Sequence, residues 1–173
     1  MPVVFIDGND FLAKAFRKAA PTLDIVVEQL QTGFATSAPE PEQKARDKVI
    51  AHHSANPCFA EAVDLTTMDG RSLRLDLDSE NANRFCKQWR ETPTKMELRI
   101  AVKRVGGEVT IVSATCKGVI ANGAAGPLLL GWDRLFVPDG YRNTLAELIA
   151  AGEGVDFRRI AYEAVVQSLG ELA

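Results

Sequence analysis

Between Met96 and Ala114 apolar and charged residues alternate on either side of one glycine turn, and this pattern restricts the fold more than any other in the chain. Met96, Leu98, Ile100 and Val102 take every second position, with Glu97, Arg99 and Lys103 among the residues between them. A period of two places the four apolar side chains on one face of a strand. Gly106-Gly107 makes a turn, and residues 109–114 return as a partner strand, so the pattern predicts a long, twisted antiparallel hairpin.

The remaining segments supply further strands and the helices that cover them. Residues 3–6 form an apolar run that stops at Asp7-Gly8-Asn9, and Phe11, Leu12, Ala15, Phe16 and Ala19 then recur at helical spacing until Pro21. A second strand is predicted over 23–27 and a loop over 31–39. Pro41 and the good helix formers at 42–48 predict a helix with a solvated charged face, reaching to about His53. Residues 57–60 read as a short strand with Glu61 at its end. Asp69-Gly70 reads as a hairpin turn into 72–77, where Leu73, Leu75 and Leu77 share a face. A helix capped at Asp78-Ser79 carries Asn83, Phe85, Cys86 and Trp89 and is ended by Pro93. Residues 122–126 form a loop, and helices are predicted over 143–151 and 156–169. The expected fold is α/β, a single domain over residues 1–173, with a mixed twisted sheet and a long antiparallel hairpin flanked by helices.

Composition narrows the function classes. Hydrophobic residues make up 46% and charged residues 25%, which is a globular balance with no polar tract long enough for a disordered tail. The net charge is −3, and Lys and Arg are scattered, which excludes an electrostatic footprint for nucleic acid or an anionic membrane. The apolar start is too short for a signal peptide or a span, so a cytoplasmic protein is expected. Cys58, Cys86 and Cys116 form no CxxC pair, and are expected to be reduced and buried. His52 and His53 are the two histidines; adjacent on a predicted helix, they are expected to be surface residues. Ser-His-Asp or Cys-His catalysis has little material here.

The most informative stretch runs from Leu130 to Leu148: Leu-Gly-Trp-Asp-Arg-Leu-Phe-Val-Pro-Asp-Gly-Tyr-Arg-Asn-Thr-Leu-Ala-Glu-Leu. Gly131 lets backbone approach a flat ligand, Trp132 offers a stacking face, and Asp133 can hydrogen-bond a base edge. Taken alone, Gly-Trp-Asp is a core aromatic beside a turn cap. At its full length the stretch resembles the signature of the inosine triphosphate pyrophosphatase family, in which the matching segment forms a wall of the base pocket. The resemblance implies that family's fold, recognition of a purine-type nucleotide, Mg²⁺-dependent conversion of NTP and water to NMP and pyrophosphate, and a homodimer. Val4-Phe5-Ile6-Asp7-Gly8-Asn9 resembles the family's strand and phosphate turn, which points to Gly8 and Asn9 as substrate-binding residues at a helix start. Pro57-Cys58-Phe59-Ala60-Glu61-Ala62 resembles the strand that ends in an acidic pair. It implies Glu61 as a catalytic and metal-binding carboxylate, with Asp64, on the opposite face of a regular strand, as a second candidate acid. Arg158 aligns with the arginine of the family's Ser-His-Arg set.

The chain departs from the family pattern where charge is needed. Leu12 stands at a phosphate lysine, Asp7 at a hydroxyl residue, Ala62 at the second acid, and Asp156-Phe157 at the Ser-His pair. Met68-Asp69-Gly70-Arg71 replaces a Gly-rich loop, no lysine lies near Glu153, and the family's further acidic metal residue has no fixed equivalent among Glu28, Glu40 and Glu42. Phosphoanhydride hydrolysis depends on such cations and ligands. The expectation is a divergent member that recognises a purine-type nucleotide, with hydrolysis weak or lost. The alternatives are a silent nucleotide-binding or protein-interaction module, or a hydrolase of a non-triphosphate substrate using Glu61, Asp64 and Asp7. Convergence of those three carboxylates favours a relocated metal site, and divergence favours the silent module.

Overall fold

The computed structural model describes residues 1–30, 40–73, 79–153 and 155–170. Among these, strands β1 (Val3–Ile6), β2 (Ile25–Glu28), β3 (Cys58–Thr67), β4 (Pro93–Lys103), β5 (Val109–Ile120) and β6 (Phe136–Pro138) form a sheet in the order β2-β1-β3-β4-β5-β6. The helices are α1 (Asp10–Ala19), α2 (Pro41–Ala51), α3 (Ser79–Trp89), α4 (Leu145–Ala150) and α5 (Asp156–Leu169). β1 pairs parallel with β2 and with β3, while β6 pairs antiparallel with β5. The sheet is therefore mixed and helix-flanked, as the sequence predicts.

The chain divides into two compact units. The first comprises Met1–Ala62, Leu98–Ala114 and Asp156–Ala173. Its centre is β1, all four residues of which are buried, as a parallel strand covered on both faces must be. On one face the Phe5 ring stacks on Phe59 at 4.4 Å, Phe59 on Phe16 of α1 at 4.7 Å, and Tyr162 of α5 meets Phe16 edge-on at 5.2 Å. Pairs of this kind contribute about 0.5–1.5 kcal/mol each beyond the area they bury. On the other face Val4, Ile6, Cys58 and Ala60 pack with Ala45 and Val49 of α2, and Ala62 joins that cluster. Odd and even residues of β3 thus serve different cores, and Glu61 shares the parity of Phe59.

The second unit comprises Val63–Glu97 and Thr115–Val155. Its buried residues include Leu65, Leu73, Phe85 and Cys86 of the first segment, and Leu130, Leu135, Phe136 and Leu145 of the second. The 3-10 segment Leu128–Leu135 and the three-residue β6 were not predicted; both are too short to show a period.

Several boundaries move. β3 is ten residues long, so Glu61 lies inside the strand and not at its end. The strand continues through Asp64 because that carboxylate has a partner: the Ser72 hydroxyl donates to Oδ1 at 3.0 Å and Oδ2 at 2.8 Å. Among the described residues, the predicted return strand is seen as the antiparallel bridge Thr66 to Ser72; Leu75 and Leu77 lie outside the described residues, as does the loop 31–39. Pro93 opens β4, a position where its missing N–H costs no ladder bond. His52 is not a free surface residue. It caps the C-terminus of α2, its side chain is 10% exposed, and Nε2 lies 2.8 Å from Glu28 Oε2. Cys58 and Cys86 are free and buried as expected, whereas Cys116 is only partly covered.

Candidate functional site

The turn between β1 and α1 is built by Asp7, Gly8 and Asn9. Asp7 takes φ 53°, a left-handed conformation that Asp tolerates better than most residues. Its N–H donates to Glu28 O at 2.8 Å, its Oδ1 accepts from Leu30 N at 2.9 Å, and Lys48 Nζ lies 3.2 Å from Oδ2. Gly8 is required: a Cβ there would stand 2.7 Å from the Phe5 ring, which is itself locked in the aromatic stack. Asn9 is the N-cap of α1, accepting from Leu12 N at 3.0 Å. Leu12 is 8% exposed and belongs to the core, while Lys14 points to solvent. The helix start thus keeps its shape, and its surroundings carry Asp7 and Asp10 where an incoming phosphate needs positive charge.

Glu61 leaves β3 on the face covered by α5. Arg158 and Tyr162 stand one helical turn apart on that helix and both reach it. Arg158 Nη2 lies 3.3 Å from Oε1, and the Tyr162 hydroxyl donates to Oε2 at 3.4 Å. The Glu61 and Arg158 side chains are 9% and 6% exposed. Of the predicted site residues, this is the pair that the structure demonstrably brings together within one unit. Tyr162 was not anticipated, although its spacing of four from Arg158 places the two on one helix face.

In the second unit Gly131 has φ 45° and ψ −115°, a kink within the 3-10 segment that side chains disfavour. The Trp132 ring meets Phe85 of α3 edge-on, with centroids 5.8 Å apart. Asp133 is 2% exposed. The Thr-Leu-Ala-Glu portion of the stretch is a capping box at the start of α4. Glu147 N donates to Thr144 Oγ1 at 3.2 Å, and Glu147 Oε2 accepts from Thr144 N at 2.8 Å. The Thr144 hydroxyl in turn donates to Ala125 O at 2.8 Å, fixing the preceding loop. Asp64, 5% exposed, is held by Ser72.

A Mg²⁺ site requires oxygen ligands free to accept a cation, usually one or two carboxylates beside the substrate phosphates. Here both oxygens of Glu61 are engaged by Arg158 and Tyr162, and position 62 is alanine. Among the described residues no group of three or more His, Cys, Asp or Glu is placed to hold a metal ion. The donor set among the described residues does not fit the ion. The thiols offer no substitute nucleophile. Burial raises the pKa of Cys58 and Cys86, and burial with the nearby Asp139 charge pushes Cys116 up to about 11.

A model of the Ham1 family matches residues 70–168, more than half of the chain. The chain belongs to the Ham1 family. The matched region of this Ham1 protein contains the 130–148 stretch and Arg158; the β1 turn and Glu61 lie outside it. No curated protein matches the chain. Among solved structures, a HAM1 protein from Coxiella burnetii is similar with 16% identity and a TM-score of 0.66, over 97% of this chain and 100% of that one. The Ham1 protein of Staphylococcus aureus has 17% identity and a TM-score of 0.62, with 96% of each chain covered. A nucleoside-triphosphatase / dITP/XTP pyrophosphatase from Mycobacterium abscessus has 22% identity and a TM-score of 0.54, with 100% of each covered. At such identities the likeness shows a shared Ham1 fold. Among the described residues no helix is long and apolar enough to cross a membrane.

Proposed function

We propose that this Ham1-family chain binds a purine-type nucleotide and turns over triphosphates far more slowly than an ordinary pyrophosphohydrolase. Family membership supports the nucleotide, with Gly131, Trp132 and Asp133 as base-recognition residues and Gly8 and Asn9 as further substrate contacts. The observation that carries the slow turnover is the capture of Glu61 by Arg158 and Tyr162. A buried carboxylate already neutralised by a guanidinium is a poor ligand for a second cation and a poor base for water. Removing groups worth about 2–4 kcal/mol each from the transition state erases most of a rate enhancement. The reading includes a homodimer, to be checked by light scattering.

A second reading, the fully silent nucleotide-binding module, is favoured by the separate engagement of the three candidate acids. Asp7 is bound by Lys48 and Leu30 N, Glu61 by Arg158 and Tyr162, and Asp64 by Ser72. Measuring pyrophosphate release from ITP, XTP and dITP beside thermal shift tests both. The expected result is a ligand-dependent rise in melting temperature with turnover well below the 1–10³ s⁻¹ range typical of enzymes. Turnover inside that range that disappears in Glu61→Ala would overturn the proposal, and turnover of zero with a retained shift selects the silent module.

A further inference from the structure

The second unit holds a cavity of about 250 Å³ that none of the foregoing uses. It opens between the turn that follows β3 and the helix α3. Asn81, Arg84, Phe85 and Gln88 all line it, and their spacing of i, i+3, i+4, i+7 makes them one face of α3. Arg71 completes the opposite side, with its guanidinium carbon 5.2 Å from the centre of the Trp89 ring. That cation–π contact restrains the guanidinium before any ligand arrives. The floor is apolar, since Phe85 is 5% and Leu73 4% exposed. Among the described residues that line the cavity there are two guanidinium groups and no carboxylate.

We propose that this cavity binds the phosphoryl group of a small phosphate ester, with Arg71 and Arg84 as the recognition pair. Two planar guanidinium forks suit the several oxygens of a phosphoryl group better than the two of a carboxylate. The volume lies just under the range of about 300–1,000 Å³ usual for small-molecule pockets. That volume suits a compact phosphate ester, and the Phe85–Trp89 side gives its organic group an apolar surface to lie against. Phe85, which lines the cavity, also meets Trp132, but neither arginine belongs to the nucleotide site proposed above.

Calorimetric titration of the full chain with inorganic phosphate and with phenyl phosphate, at low and at high NaCl, tests this assignment. Saturable one-to-one binding is expected, weakened at least tenfold in Arg84→Gln and in Arg71→Gln. Lys14→Gln removes one exposed cation from the other unit and is expected to leave the affinity within twofold of the parent. Tighter binding of phenyl phosphate identifies an organic phosphate as the ligand, and equal binding identifies free phosphate. Absence of saturable binding, or equal weakening in Lys14→Gln and Arg84→Gln, would overturn the proposal. Both arginines are exposed, so circular dichroism should find the variants folded. In a Trp132→Phe background Trp89 is the remaining tryptophan, and its fluorescence should change on saturation in step with the calorimetry.

Discussion

Residues 130–148 and residues 4–61 carry the same family resemblance, yet they have kept different things. In the first, the family-like residues are the ones that shape backbone. Gly131 sits at a φ of 45°, and Thr144 and Glu147 close a capping box. In the second, the backbone devices persist as well: β1 is an apolar strand, Gly8 clears the Phe5 ring, and Asn9 caps α1. The charges on that frame are paired within the fold. Leu12 lies in the core, Asp7 is tied to Lys48, and Glu61 is tied to Arg158. A fold depends on caps, glycines and apolar faces, whereas phosphoanhydride chemistry depends on a few unpaired charges. The two sets can be lost independently, and the family model stops short of the region where the second set would sit.

The sharpest way to break this contrast is to cut the Glu61–Arg158 pair. If it has become structural, Glu61→Ala or Arg158→Ala leaves a buried charge without its main partner, at a cost of about 3–5 kcal/mol. For a chain of this size that corresponds to a fall in melting temperature of roughly 10 °C, readable by calorimetry or circular dichroism. The double variant Glu61→Gln/Arg158→Met, which removes both charges, should recover much of the loss. A fall under about 2 °C for either single variant would show that the pair is not structural, leaving Glu61 available for catalysis.

Backbone glycines in both regions should respond alike, which tests the claim that the frame is common to both. Gly131→Ala places a side chain at a φ/ψ pair almost restricted to glycine and should cost about 1–3 kcal/mol. Gly8→Ala drives a methyl into the stacked Phe5 ring, and overpacking of this kind costs about 1–3 kcal/mol. Chemical denaturation measures both. A neutral Gly8→Ala beside a costly Gly131→Ala would mean that the N-terminal turn has relaxed along with its chemistry.

What could be read in advance divides along the same line. α1 and the β4–β5 hairpin were legible from their apolar periods, β1 as an apolar run and α2 from Pro41 and its good helix formers, and α5 was predicted at 156–169, the bounds it has. β6 and the 3-10 segment carry no period. β3 was read as too short because Glu61 and Asp64 look like a strand end until their partners are known. The partners of Glu61, Arg158 and Tyr162, lie 97 and 101 residues away, and no spacing rule reaches that far. The absence of a second acid at position 62 was visible in the sequence. The capture of the first was not.

Asp7→Ser offers a smaller and more direct probe of the charge at the β1 turn. It removes a carboxylate from the start of α1 and restores a hydroxyl at the position where the family has one. The ion pair with Lys48 is about a quarter exposed on each side, so its loss should cost no more than about 1 kcal/mol. Removing one repulsive charge near a bound phosphate is worth about 1 kcal/mol in high dielectric, or roughly a fivefold gain in affinity. Calorimetry with ITP should find that gain in dilute buffer and see it shrink in 0.5 M NaCl, where the screening length is about 4 Å. An unchanged affinity would place the nucleotide phosphates away from the β1 turn.

The least perturbing test asks whether either compact unit holds a thiolate. Desolvation raises Cys58 in the first unit and Cys86 in the second, and Cys116 is pushed up to about 11. A raised thiol pKa means the neutral form persists as pH rises, so at pH 8 roughly one Cys116 in a thousand is thiolate. Iodoacetamide labelling of the folded protein should be slow at pH 8, confined to Cys116, and tenfold faster for each pH unit as the pH approaches 11. Cys58 and Cys86 should label only after denaturation, since both are buried. Rapid labelling of Cys58 at neutral pH would break the comparison at its centre: the strand that carries Glu61 would then hold an activated nucleophile, and the first unit would have exchanged one chemistry for another.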